Sequence, residues 1–325
     1  MTNTATTRKG ILKIRAIERM VRWLDAMPHP PLAIEIAWDQ IAAVRWSRTG
    51  AVEEFAVEPL QAGAIVPSAV EVNIVDSPAV HSAMARVCSR LHASDEDATL
   101  LLPDPVIRVF VQRFEEFPQS HKDAVPFLQW KLKKSVPFEV ADTVISYVRQ
   151  ATQGNGVDVI AVVGRLRVVR EYEELAESVG LHAGVVLSSS LAALALLDDH
   201  RPTLLARVSD SALTTAMVSD GVLCGYRCTE LPARGAELTP KLLLEEIYPV
   251  AAHYQYTLGT RIESVCVSGM GKRFPEFAGP IEGEFRCNVQ PLLRTSIPDG
   301  RIGEDARPLA EGGMEALLGW MLSSE

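Results

Sequence analysis

The chain has 325 residues, 47% hydrophobic and 22% charged, which is enough to bury two globular lobes and too apolar for a disordered chain. Its net charge of −9 repels a phosphate backbone and speaks against broad nucleic-acid binding. Cys88, Cys224, Cys228, Cys266 and Cys287 form no CxxC pair, and the seven histidines show no metal-binding spacing, so a disulfide scaffold or a zinc site is not expected.

Residues 9–27 read as a basic amphipathic helix. Ile14, Ile17, Val21 and Leu24 recur at helical spacing, with Arg15, Arg19 and Arg22 on the other side. Such a helix suits an anionic membrane surface or a protein groove. Pro28-His29-Pro30-Pro31 ends it as a stiff linker. No stretch is long and apolar enough to span a bilayer, and no signal-peptide core is visible at the start.

A strand meander follows at Leu32–Ile36, Ile41–Trp46 and Glu54–Val57. A helix then runs to Leu91, with Ser77 read as its cap and Pro78 at its first position. Strands are expected at Ala98–Leu102, Val106–Val111, Asp142–Tyr147, Val157–Val163 and Val185–Leu187. Helices are expected from Ser120 to about Val136, over Val168–Ser178, and from Ser190 through Leu197. A second meander covers Thr203–Val208, Thr214–Val218 and Val222–Arg227. It leads to a helix opened by Thr239-Pro240, a strand at Ile262–Val267, a turn-rich tail and a last helix around Met314–Leu322. Two meander-then-helix units imply a duplicated α/β core with an insertion in its first half.

Local blocks carry a resemblance. Residues 100–118, LLLPDPVIRVFVQRFEEFP, and residues 128–147, LQWKLKKSVPFEVADTVISY, resemble two blocks of the PilM family of type IV pilus assembly proteins. Trp130, Pro137, Phe138 and Tyr147 sit at the marked positions of the second block, and Gly180-Leu181 at those of a third over 157–187. The cytoplasmic domain of the GspL family and the FtsA proteins are more distant. The resemblance implies an actin-like fold of two RNase-H-like lobes. They would occupy residues 32–202 and 203–325, with an inserted subdomain at about 98–184 and an N-terminal tail, helix and linker over 1–31.

It also implies a nucleotide cleft, and here the sequence departs from the family. Actin-like hairpins present a carboxylate for Mg²⁺ and a glycine whose backbone N–H approaches phosphate. In the first hairpin Glu35 keeps the carboxylate, but Ala37 replaces the glycine and Trp38 the small polar residue. In the second, Arg207 replaces the carboxylate and Ser209 the glycine, while Asp210 is out of register. Arginine cannot hold Mg²⁺; it is placed to meet a phosphate or to pair with Glu35. The adenosine-side turn, Ser268-Gly269-Met270-Gly271-Lys272, survives better. The pocket of Glu35, Ala37, Ser209, Asp210, Gly269 and Gly271 therefore reads as vestigial. No cofactor is expected, with ATP and Mg²⁺ implied by resemblance only.

Other chemistry finds little support. Ser188-Ser189-Ser190 lacks a GxSxG frame, and Glu115-Glu116 and Glu245-Glu246 are solvated charge. The expected role is a non-catalytic cytoplasmic adaptor at the inner membrane. By resemblance, it binds the N-terminal peptide of a PilN-like membrane protein and links it to the pilus motor. A GspL-like platform component and an ATP-binding actin-like ATPase are the alternatives. Phe110, Phe114, Phe117, Phe127 and Leu128 are the expected partner-binding residues, and Lys131, Lys133 and Lys134 form a basic cluster beside them.

Overall fold

The computed structural model describes residues 29–47, 50–150, 156–197, 201–233, 235–293 and 304–323. The basic helix expected at 9–27 lies outside them. At the first described residue, the His29 ring packs on Trp320 with centroids 4.5 Å apart, joining the linker to the far end of the chain.

The first sheet begins as a meander of β1 (Leu32–Ile36), β2 (Gln40–Trp46) and β3 (Val52–Pro59). Strand β1 is buried along its whole length, as a central strand covered on both faces should be. Helix α1 (Ser77–Arg90) covers the sheet through Val80, Ala83, Met84 and Val87, one helical stripe. The cap is not Ser77: the Asp76 carboxylate accepts from the Ala79 N–H at 3.1 Å. Strand β4 (Glu96–Leu102) then pairs parallel to β1.

An inserted module follows. Its strands β5 (Ile107–Phe114), β6 (Thr143–Gln150) and β7 (Val157–Arg165) form a separate antiparallel sheet in the order β5-β7-β6. Helix α2 (His121–Leu132) lies over it and buries Ala124, Leu128 and Leu132, spaced four apart. It stops four residues short of the expected Val136, where the Ser135 N–H turns back to the Leu132 carbonyl at 2.8 Å. The module is also narrower than 98–184. Helix α3 (Leu166–Glu177) packs Val168, Tyr172 and Leu175 into the first lobe, and β8 (Leu181–Ser188) joins β4 in the first sheet.

A short helix α4 (Ser189–Ala193) and a 3₁₀ turn at Leu194–Leu196 lead to the second lobe, in place of the single Ser190-capped helix expected. There β9 (Thr203–Ser209), β10 (Ala212–Ser219) and β11 (Val222–Glu230) repeat the meander. Helix α5 (Pro240–Leu258) is capped by the Thr239 hydroxyl, which accepts from the Leu242 N–H, and ends at Gly259 with φ +62°, the left-handed geometry glycine favours. Strand β12 (Ser264–Ser268) pairs parallel to β9. Helix α6 (Phe274–Phe285) and strand β13 (Asn288–Pro291) complete the lobe; neither was expected, because Gly279, Pro280 and Gly283 mask the buried stripe of Phe277, Ile281 and Phe285.

The two sheets have the same strand order, β3-β2-β1-β4-β8 and β11-β10-β9-β12-β13, so the duplication read from the sequence is present. The second lobe does not, however, run to the end of the chain. After α7 (Arg307–Glu311), helix α8 (Glu315–Leu322) returns to the first lobe, where Leu317, Leu318 and Trp320 join its core. A Cβ at Gly319 would run into the Ala192 carbonyl, so glycine permits the close approach of α8 to α4. No described helix is long and apolar enough to cross a membrane.

Candidate functional site at the cleft between the lobes

The first turns of the two meanders face each other across a cavity of about 480 Å³. Ala37, Trp38, Asp39 and Gln40 line it from the first lobe; Ser209, Asp210, Gly269, Met270, Gly271 and Phe274 line it from the second. Arg207 and Ser209 are two apart on β9 and share a face, and Glu35 on β1 and Ala37 just beyond its end line the same cavity.

Arg207 closes the floor. Its Nη2 lies 3.3 Å from Glu35 Oε1, its Nη1 3.6 Å from Asp104 Oδ2 and its Nε 3.5 Å from Glu315 Oε2. All four side chains are buried. The guanidinium thus joins carboxylates from β1, from the root of the inserted module and from α8. Each carboxylate has further donors. Asp104 accepts from the Ser188 hydroxyl at 2.5 Å, the Ser190 N–H at 2.9 Å, the Thr214 hydroxyl at 2.8 Å and the Tyr226 hydroxyl at 3.3 Å, and also from the Ser190 hydroxyl. Glu315 accepts from the Ser268 hydroxyl. The network crosses the cleft repeatedly, because Thr214, Tyr226 and Ser268 belong to the second lobe. A further crossing lies at the module, where the Gln150 amide makes two hydrogen bonds to the Leu223 backbone, at 2.8 and 2.9 Å.

The electrostatics follow from this packing. Burial pushes the Glu35 carboxyl above its ordinary range, against the pull of Arg207 and the Ser189 hydroxyl, and the charges of Glu315 and Asp104 push it further up. Glu315 is raised for the same leading reason, opposed by Arg207 and Ser268. Burial works against the charge on Arg207, but Asp104, Glu35 and Glu315 outweigh it and hold the guanidinium protonated more firmly than in water. Asp39 at the rim is raised by burial and by the facing charge of Asp210.

The residues do not fit a magnesium nucleotide. A guanidinium stands among the carboxylates where the metal would sit. Five carboxylates, from Glu35, Asp39, Asp210, Glu311 and Glu315, and one cation, Arg207, are among the described residues lining the cavity. That balance disfavours a triphosphate. The Ala37 N–H, which would face phosphate, instead donates to Gln40 O at 2.9 Å within its own hairpin. Gly269 has φ +84°, and a Cβ there would collide with the Val208 carbonyl. Its glycine is required by the packing of β12 against β9, with no appeal to a ligand. Gly271, at φ +51°, has open space beside it.

Glu35, Ala37, Ser209, Asp210, Gly269 and Gly271 all line this one cavity. The structure corrects the partner-binding set. Phe114, Phe117 and Leu128 are buried in the module's own core, and Phe110 and Phe127 pack against it. Phe114, Phe117 and Leu128 thus hold α2 to its sheet, while Phe110 and Phe127 are half-buried. Asp104 and Glu315 were missed. Asp104 lies in a Pro-Asp-Pro turn that read as a strand closure, and Glu315 lies on the last helix, more than a hundred residues from Arg207 in sequence.

No protein-family model and no curated protein sequence matches the chain. Among solved structures it is similar to a PilM–PilN type IV pilus biogenesis complex, with a TM-score of 0.72, 14% identity, and coverage of 92% of this chain and all of that one. The fold is actin-like. Looser likenesses include a Bacteroides thetaiotaomicron protein with an actin-like ATPase fold and unknown function (TM-score 0.49, 11% identity, 87% of this chain and 95% of that one). Another is the cytoplasmic domain of EpsL, an inner-membrane component of the Vibrio cholerae type II secretion system (TM-score 0.45, 13% identity, 73% of this chain and 81% of that one).

Proposed function

We propose that this chain is a non-catalytic scaffold of a type IV pilus or related secretion machine, acting at the cytoplasmic face of the inner membrane and linking a membrane-protein peptide to the motor. The observation that carries the reading is Arg207 bound by Glu35, Asp104 and Glu315. In an actin-like ATPase a bound metal nucleotide bridges the lobes. Here one protein cation does so, and the bridge needs no ligand to form or break. Removing one member of such a buried pair costs about 3–5 kcal/mol, because it leaves an uncompensated buried charge.

The partner in this reading is the cytoplasmic peptide of a PilN-like inner-membrane protein, supported by the PilM–PilN complex among the similar structures. With Phe114 and Phe117 buried in the module's own core, the better docking ground is the junction of the first lobe and the module. There a segment exposes Val66, Val72 and Val75. It is held rigid by buried Asn73, by Glu171 accepting the Asn73 N–H at 2.8 Å, and by Arg165 and Arg167 donating to the Val70 carbonyl at 2.8 and 2.6 Å. Rigid apolar side chains bind at low entropic cost.

The test is a titration of the full chain with the cytoplasmic peptide of a PilN-like inner-membrane protein from the same organism, with and without Mg-ATP. The reading expects saturable binding of equal affinity in both conditions, weakened by Val72→Asp. Binding that requires Mg-ATP would favour a working ATPase switch, and no binding would remove the adaptor role.

A further inference from the structure

Helix α2 is fixed to the module by Ala124, Leu128 and Leu132, and its outer end is not used by the fold. Trp130 there is 70% exposed. Its ring touches the protein mainly through Phe127, with centroids 6.3 Å apart, and the Lys131 ammonium lies 5.8 Å from its centre. Lys133 and Lys134 follow, both exposed, and neither makes an ion pair with another described residue. Between Ala124 and Ala141 the chain carries three lysines and one carboxylate, Glu139, within a molecule of net charge −9.

We propose that Trp130, Lys131, Lys133 and Lys134 form a contact for an anionic lipid surface. Indole combines an apolar body with a polar N–H and settles at the headgroup level of a bilayer. Lysine stems lie along apolar surface while their ammonium groups reach phosphate. Three lysines that make no ion pair with another described residue match a fluid array of phosphates better than a fixed constellation of carboxylates. The chain's net charge of −9 is repelled by the same surface, so the contact depends on this local cluster. This contact adds to the scaffold reading and is independent of what occupies the cleft.

Flotation of the full chain with phosphatidylglycerol-containing vesicles, against pure phosphatidylcholine vesicles, tests it. The intact protein should float with the anionic vesicles only, and less as salt is raised. K131A/K133A/K134A should weaken partitioning by about a hundredfold and Trp130→Ser by roughly tenfold. Both variants should melt as the parent does and bind the PilN-like peptide unchanged, which separates this proposal from the adaptor role. Failure of the intact chain to float would overturn it. So would flotation of both variants at the parent's level, which would move any lipid contact elsewhere, residues 9–27 included. Loss of peptide binding in the same variants would make the patch a protein-docking site instead.

Discussion

The two lobes build the same five-stranded unit, and on the matching strands β1 and β9 they place opposite charges, Glu35 and Arg207. In the first lobe the strand carries a carboxylate. In the second it carries a cation that reaches back across the cleft. The difference teaches that a duplicated fold can keep its architecture while its two halves carry opposite charges that pair across the cleft. On the function proposed above, Arg207 takes the place of a metal nucleotide, the phosphate-facing glycines are no longer needed, and alanine and serine at 37 and 209 are tolerated.

The comparison breaks most severely at Arg207. Arg207→Met leaves Glu35, Asp104 and Glu315 facing one another without a cation, and should cost about 3–5 kcal/mol in chemical denaturation. Leu128→Ala bears on the corrected role of the module's apolar residues. The side chain is buried in the module's core, so the loss should be about 2–5 kcal/mol of stability. A fully stable variant that loses only its partner would restore Leu128 as a docking residue.

Gly269→Ala asks whether that glycine serves packing or a ligand. Collision with the Val208 carbonyl at a left-handed backbone position should lower stability by about 1–3 kcal/mol without any nucleotide present; a neutral effect on stability would return the residue to a ligand-binding role.

The smallest effect is expected at the third carboxylate. Glu315→Gln removes one of three negative groups around a single cation, and should change stability at neutral pH by less than about 1 kcal/mol. Its signature is in the pH dependence. The folded-state pKa values of Glu35 and Glu315 are raised above their ordinary 4.5. The folded protein therefore holds these protons more tightly than the unfolded chain. Their contribution to stability is full below about pH 4.5 and is lost as pH rises through the raised values. Glu315→Gln should flatten that decline in melting temperature measured across pH. A steeper decline would mean that Arg207 outweighs burial at this site.

Much of this was legible in the sequence because it is local. Strand alternation, proline stops and capping residues located the two meanders, and Arg207 in place of a carboxylate pointed to a phosphate contact or a pair with Glu35; the structure shows the pair. What escaped was assembled from distance. Asp104, Arg207 and Glu315 come from the module's root, the second lobe and the last helix, and no local pattern joins them. The return of α8 to the first lobe was hidden for the same reason: EALLGWML reads as an apolar helix but does not say which core it enters. Phe114, Phe117 and Leu128 show the opposite error. The four-residue spacing of Ala124, Leu128 and Leu132 marks an inward stripe, and following it would have put Leu128 in the core and left Trp130 outside.

The central claim is that Arg207 has replaced the metal nucleotide. Isothermal titration of Mg-ATP into the purified full chain tests it most directly. The account predicts no saturable heat up to millimolar nucleotide, with or without Mg²⁺. Magnesium-dependent binding in the micromolar range would contradict it, since Arg207 would then have to leave its three carboxylates to admit the metal.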